Sequence, residues 1–168
     1  MIQVKNALLI ISILVSCHTF SQDTLGMKEV YIDNDLVYKM NGERLTGVAQ
    51  HKRKNGHLVY EEIYNDGVVL SSNLYFNGKQ KIVCDKTIYQ RYKPWVIAKE
   101  FSYNLKGEII ETIDYDENGV KKLVKRFENG ELNYYGEYHG KKKHGKEYCF
   151  TDDREKLEFE YVNGKKKK

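Results

Sequence analysis

Asn-Gly pairs recur along this chain at a nearly constant spacing, and nothing else in it restricts the fold as much. They stand at Asn41-Gly42, Asn55-Gly56, Asn77-Gly78, Asn118-Gly119, Asn129-Gly130 and Asn163-Gly164, with Asp66-Gly67, Lys106-Gly107 and His139-Gly140 on the same beat. An Asn-Gly pair supplies the positive φ that a tight hairpin turn demands, so each is expected to reverse the chain between two strands. One strand plus one turn takes about 11 residues and one hairpin about 22, a fixed period of the kind that marks a repeat architecture. The beat slackens between Gly78 and Gly107, around the single proline in Lys93-Pro94-Trp95.

The segments between turns alternate. Leu157, Phe159 and Tyr161 alternate with Glu158 and Glu160, and Leu132, Tyr134, Gly136 and Tyr138 with Glu131, Asn133 and Glu137. Ile109, Ile113 and Tyr115 are expected to share one face, and Ile97, Phe101 and Tyr103 another. A period of two with aromatic and β-branched enrichment predicts half-buried antiparallel strands. The expected fold is all-β: an elongated, twisted, single-layer antiparallel β-meander of repeated hairpins. Its repeat domain spans residues 28–164, with an irregular middle at 82–106. Tyrosine is over-used, at 14 residues. One reading is an aromatic binding surface; the other is structural. A single-layer sheet has no second layer to bury against, so large amphipathic rings cover their neighbours and keep the hydroxyl wet. The structural reading carries more weight because the rings follow the turn beat.

The N-terminus reads as an export signal: Lys5 lies in a short polar start, Ala7 to Val15 is apolar except for Ser12, and a polar stretch with small residues follows. The apolar run is short for a bilayer span. Residues 1–21 form the signal if cleavage falls before Gln22. Leu14-Val15-Ser16-Cys17 also resembles a lipobox, in which case the signal is 1–16 and Cys17 is lipidated. The expected location is therefore exported: periplasm, cell envelope or extracellular space, with an outer-membrane lipoprotein as the alternative. Two cysteines remain, Cys84 and Cys149, a candidate disulfide in an oxidising compartment. Otherwise each packs as a small residue in a strand.

The net charge is only +4, and Lys and Glu are interspersed, so a nucleic-acid footprint is not expected. The basic tail, residues 165–168, reads as a disordered end. No nucleophile elbow, phosphate-cradling loop or His-Glu-x-x-His occurs. His139, His144 and Cys149 stand five residues apart in steps and read as turn residues rather than a metal site, since zinc wants four closely spaced ligands. Asp152-Asp153 and the pair Asp114 and Asp116 read as turn formers. No catalytic residue, cofactor or metal is expected, and the chain is expected not to be an enzyme.

From Phe127 to Lys146 the chain reads Phe-Glu-Asn-Gly-Glu-Leu-Asn-Tyr-Tyr-Gly-Glu-Tyr-His-Gly-Lys-Lys-Lys-His-Gly-Lys. This resembles the variant MORN repeat of bacterial proteins, a family often described as the antitoxin component of toxin–antitoxin systems. Leu45-Thr46-Gly47, Glu62 to Gly67 and Leu74 to Lys79 resemble more degenerate copies. Residues 82–115 lack the glycine pair. The resemblance implies a scaffold in which Gly42, Gly56, Gly67, Gly78, Gly119, Gly130, Gly140 and Gly164 make turns and Tyr134, Gly136, Tyr138 and Gly145 pack the repeat. Three functions follow as expectations: an exported scaffold binding an unidentified protein, an antitoxin-like or immunity-like protein, or an envelope module touching lipid headgroups or glycans. Membrane contact would come through a lipid anchor or peripheral binding, and the chain would be a monomer or an edge-paired homodimer. Tyr135 points away from the Leu132–Tyr134–Tyr138 stripe and, with Lys141, Lys142 and Lys143, forms the expected partner contact.

Overall fold

The computed structural model describes residues 23–151 and 153–168. The expected export signal, Cys17 and Asp152 lie outside the described residues. Among the described residues, alternation and turns give fourteen strands in chain order. They are β1 (Asp23–Gly26), β2 (Val30–Asp33), β3 (Leu36–Lys39), β4 (Gly47–Lys52), β5 (Leu58–Asn65), β6 (Val68–Tyr75) and β7 (Val83–Gln90). Then follow β8 (Lys93–Tyr103), β9 (Ile109–Tyr115), β10 (Lys121–Glu128), β11 (Glu131–His139), β12 (Lys142–Phe150), β13 (Lys156–Val162) and β14 (Lys165–Lys166). A 3-10 turn, Met27–Glu29, follows β1.

Twelve strands form one open sheet in the order β1-β4-β5-β6-β7-β8-β9-β10-β11-β12-β13-β14. From β5 onward every strand pairs antiparallel with the one before it, so β4 to β14 are a run of sequential hairpins that does not close into a barrel. It passes without a break through residues 82–106. β1 pairs parallel with β4 at the N-terminal edge. The backbones approach closely there: a Cβ on Gly47 would stand 2.8 Å from the Asp23 nitrogen.

β2 and β3 form a separate hairpin that lies over the N-terminal strands. The amide of Val37 donates to the Gly67 carbonyl (2.8 Å), Gly67 to Leu45 (2.8 Å) and Leu45 back to Val37 (3.0 Å). Val37, Leu45, Ala49, Tyr64 and Val69 are buried together beneath it, with Tyr89 and Trp95 packed against them. The second layer is thus local, and from β9 to β14 the sheet is a single layer.

The turns fall into two kinds. In two-residue turns, Asn34-Asp35, Asp66-Gly67, Asn129-Gly130 and Asn163-Gly164, both residues have positive φ, which matches the twist of the flanking strands. At Gly140-Lys141 only the glycine does. In five-residue turns the first amide donates to the fifth carbonyl and the fourth amide to the first carbonyl; Gly42, Gly56, Gly107 and Gly119 hold the fourth place. Arg154 holds it in the turn from Thr151 to Glu155, at φ 62°. Gly78 departs from expectation, since its φ is not positive. The β6–β7 connection is a wider loop closed from Phe76 to the Ile82 carbonyl (2.9 Å), so Gly78 is not its tight-turn residue.

Strand register lines up residues across the whole sheet. On the face covered by the β2–β3 hairpin one row reads Leu25, Ala49, Glu62, Ser72, Thr87, Glu100, Ile113, Val124, Gly136, Glu147, Phe159. Many of these side chains are small, and Ala49, Ser72, Val124 and Glu147 are buried although most of the row has no second layer above it. Rings from neighbouring rows supply the cover.

Candidate functional site

The cover consists of tyrosine rings that lie back over this row and place their hydroxyls on carboxylates. Tyr60 donates to Glu62 (2.7 Å) and Tyr64 donates to the same carboxylate. Tyr115 donates to Glu100, and Tyr134 to Glu147 (2.9 Å). On the opposite face Tyr75 donates to Glu61 and Tyr135 to Glu137 (2.8 Å). A buried carboxylate needs such donors. Burial would raise the Glu61 carboxyl, but hydrogen bonds from Tyr75, Asn73 and Gln50 outweigh it and hold it below the usual range. Glu147 is lowered in the same way against its burial, by Lys143 and Tyr134. The tyrosines move the other way, as burial and the adjoining carboxylates push them up, Tyr135 to about 12.

The repeat-packing residues stand together. Tyr134 lies directly over Gly136, where an added Cβ would stand 2.9 Å from the ring Cζ. The Tyr138 hydroxyl is 2.9 Å from that of Tyr134. Gly145, at φ 105°, leaves room for Glu137, whose carboxylate accepts the Lys146 amide (2.8 Å).

The expected partner contact is differently placed. Tyr135 does point away from Tyr134, but its ring stacks on Tyr148 across the strands at 4.6 Å and 3° and its hydroxyl is held by Glu137. Lys143 is paired with Glu147 and lies over the Tyr161 ring at 5.1 Å. Lys141 and Lys142 are exposed at the turn. The basic tail is not a loose end: Lys165 and Lys166 form β14 on β13, the Lys167 amide donates to Glu160 (2.8 Å), and Lys166 covers the Phe159 ring at 3.6 Å. It shields one end of the β13 edge from strand addition.

Cys84 and Cys149 do not form the candidate disulfide; both are free. Cys84 lies in β7 and Cys149 in β12, five strand spacings apart, about 24 Å, where a disulfide needs Cα atoms within about 7 Å. His139 and His144 meet edge to face at 6.5 Å, and His144 accepts the Asn163 amide, while no group of three or more potential metal ligands is gathered among the described residues.

A hollow of about 590 Å³ opens at the end of β7 to β9, lined chiefly by Phe76, Cys84, Tyr103, Leu105 and Ile110. Two β-bulges build it. Leu74 and Tyr75 pair with Asp85 and Val83, which leaves Cys84 as the extra residue. Ser102 and Tyr103 pair with Glu111 and Ile109, which leaves Ile110 extra. The second bulge also corrects the expected face of Ile109, which falls opposite Tyr103 where strict alternation would put Ile110. Bulges re-aim side chains in this way and concentrate near functional sites. Leu105 and Ile110 remain exposed there, Leu105 at 68%. Sequence reasoning did not single out this hollow. The adjacent apolar pairs Tyr75-Phe76 and Ile109-Ile110, which break the alternation, were the signal for it.

No protein-family model matches the chain, and no curated protein matches it. Among solved structures, a chain of the GtfA/B complex bound to UDP and GlcNAc superposes on 60% of this chain and 22% of its own length, with a TM-score of 0.45 and 11% identity. A TarM mutant of S. aureus, in complex with fondaparinux, alpha-GlcNAc-glycerol and UDP, covers 70% of this chain and 21% of its own, with a TM-score of 0.42 and 11% identity. This chain therefore spans about a fifth of each of those chains.

Proposed function

We propose that the chain is an exported, non-enzymatic scaffold of the bacterial envelope that binds another protein. The observation that carries this reading is the uncovered apolar hollow. The β2–β3 hairpin and the tyrosine rings cover Ala49, Ser72 and Glu147, whereas at the hollow Leu105 and Ile110 stay in water. Exposed apolar surface rimmed by polar residues is where proteins engage partners. The export signal and the resemblance to variant MORN repeats support the setting.

The test is a capture experiment from the envelope fraction of the native cell with three baits: the wild type, Leu105→Asp and Tyr135→Ala. Leu105 sits in an exposed turn, so its replacement leaves the strands intact. The reading expects one partner that the wild type and Tyr135→Ala retain and Leu105→Asp loses. Identical capture by all three, or none by the wild type, overturns it.

A further inference from the structure

The Asn-Gly pairs carry a reactivity that their role as turns does not use. Glycine has no Cβ to keep its amide nitrogen away from the preceding side chain. That nitrogen can add to the asparagine Cγ and close an imide ring. Closure is favoured by a glycine N–H with no acceptor, by a backbone free to swing that nitrogen toward the side chain, and by a donor on the side-chain oxygen, where negative charge develops. The six pairs differ in these respects. The amides of Gly42, Gly56, Gly119 and Gly164 are tied to the carbonyls of Lys39 (2.9 Å), Arg53 (2.9 Å), Asp116 (3.0 Å) and Lys143 (2.8 Å). At Asn129-Gly130 both residues are held at positive φ, 52° and 80°, in a turn clasped by the paired Glu128 and Glu131. Swinging that amide would open the β10–β11 ladder.

Asn77-Gly78 meets every condition. It stands exposed in the wide β6–β7 loop, and neither residue has a positive φ. The Gly78 amide has no acceptor among the described residues. A Cβ on Gly78 would meet nothing within 4 Å, so the nitrogen is open to solvent. The Arg53 guanidinium, from the β4–β5 turn, donates from Nη1 to Asn77 Oδ1 at 2.9 Å. Arg53 has no carboxylate partner among the described residues. Lys93 donates to Asn118 in the same way (2.8 Å), but there the glycine amide is tied.

We infer that Asn77-Gly78 is a self-modification site, at which the folded chain converts an amide into a carboxylate with Arg53 as the donor to the reacting oxygen. Hydroxide removes the Gly78 amide proton, and the nitrogen attacks Asn77 Cγ to form an N–Cγ bond. The electron pair displaced from the carbonyl rests on Oδ1, against the guanidinium. It returns as the Cγ–Nδ2 bond breaks, and Nδ2 takes a proton from water and leaves as ammonia. Water then opens the imide: attack at Cγ gives aspartate, and attack at the backbone carbonyl gives isoaspartate. Water enters, ammonia leaves and nothing is oxidised. The aspartate formed faces a guanidinium that had no carboxylate, so a neutral link between the β4–β5 turn and the β6–β7 loop becomes a charge-assisted one.

The full chain, aged in mildly alkaline heavy-oxygen water and mapped by peptide mass spectrometry, tests this. Asn77 is expected to convert roughly tenfold faster than Asn41, Asn55, Asn118, Asn129 or Asn163. In urea that preference should vanish, because it belongs to the fold and not to the dipeptide. Arg53→Ala should slow conversion of Asn77 severalfold and leave Asn129 unchanged. Gly78→Ala fits without strain, since the space is open and φ is not positive. It should keep the thermal midpoint of the wild type and convert roughly tenfold more slowly, the mark of the imide route. Another pair converting as fast as Asn77 in the folded chain, or a preference that survives urea, overturns the inference. So does conversion indifferent to Arg53→Ala or to Gly78→Ala.

Discussion

The indole Nε1 of Trp95 donates to the backbone carbonyl of Asp35 at 3.0 Å, across 60 residues of sequence. The bond ties β8 to the tip of the β2–β3 hairpin. Trp95 sits at φ 66°, an unfavourable conformation for so bulky a residue, next to two bulges in the β7–β8 ladder. The irregularity around Pro94 is thus a second point, besides the Val37–Gly67 bond, at which the hairpin layer is fastened to the sheet.

Removing that donor should loosen the hairpin before the sheet. Trp95→Phe is expected to lower stability by about 1 kcal/mol, the net worth of one hydrogen bond. It should reduce hydrogen-exchange protection at the Val37 and Leu45 amides, while β10 and β11 stay protected. Equal loss of protection in all strands would show that the hairpin is not a separable layer.

Gly136→Val should be costly for a steric reason. The new Cβ would collide with the Tyr134 ring, and moving the ring uncovers Glu147. Overpacking of this kind costs about 1–3 kcal/mol. Thermal unfolding measures it, and an unchanged midpoint would show that Tyr134 does not need its place over Gly136.

Acid and alkali should both weaken the fold. Glu61, Glu137 and Glu147 are held below the usual carboxylate range, so the unfolded chain takes up protons before the folded one. Their stabilisation is present above about pH 4.3 and is lost as pH falls through the depressed folded values. Tyr60, Tyr64, Tyr75, Tyr115 and Tyr134 are raised by burial and by the adjoining groups, so their contribution is present below about pH 10 and is lost above it. Urea midpoints across pH check this, and Glu61→Gln should flatten the acid limb.

Both described thiols should alkylate without reductant. Mass spectrometry of the unfolded, unreduced protein is expected to find Cys84 and Cys149 each labelled. A protected pair would require the two to be joined between molecules, since within one sheet they are too far apart.

What the sequence disclosed was whatever is decided locally. Asn129-Gly130 and Leu157-Phe159-Tyr161 need only their neighbours to become a turn and a strand, so the hairpins and the all-β fold were readable. Gly78 was misjudged because loop width there depends on where Ile82 pairs back to Phe76, and β14 was missed because it exists only once β13 offers it an edge. Tyr60 and Tyr64 reach Glu62, and Tyr135 reaches Glu137, two residues along the same strand, a spacing that alternation made readable; Glu61, Glu100 and Glu147 stand on the strand next to their tyrosines and show no pattern along the chain. The hollow was hidden for the same reason. Its residues come from β7, β8, β9 and two loops, and the bulges that turn Cys84 and Ile110 toward it are set by register between strands.

The unbroken cross-strand rows carry one last implication. A barrel must contain the number of strands that closes it, and a sandwich must match its two halves. This sheet answers to neither condition, because each strand is registered only to its neighbours. A hairpin's worth of chain, one up and one down, could be spliced in or removed and the rows would rejoin with inside and outside preserved. Molecular length is therefore a free variable of this architecture, open to adjustment by duplication, while the bulged hollow and the clamped hairpin remain local fittings on a rod that can be cut to any even measure.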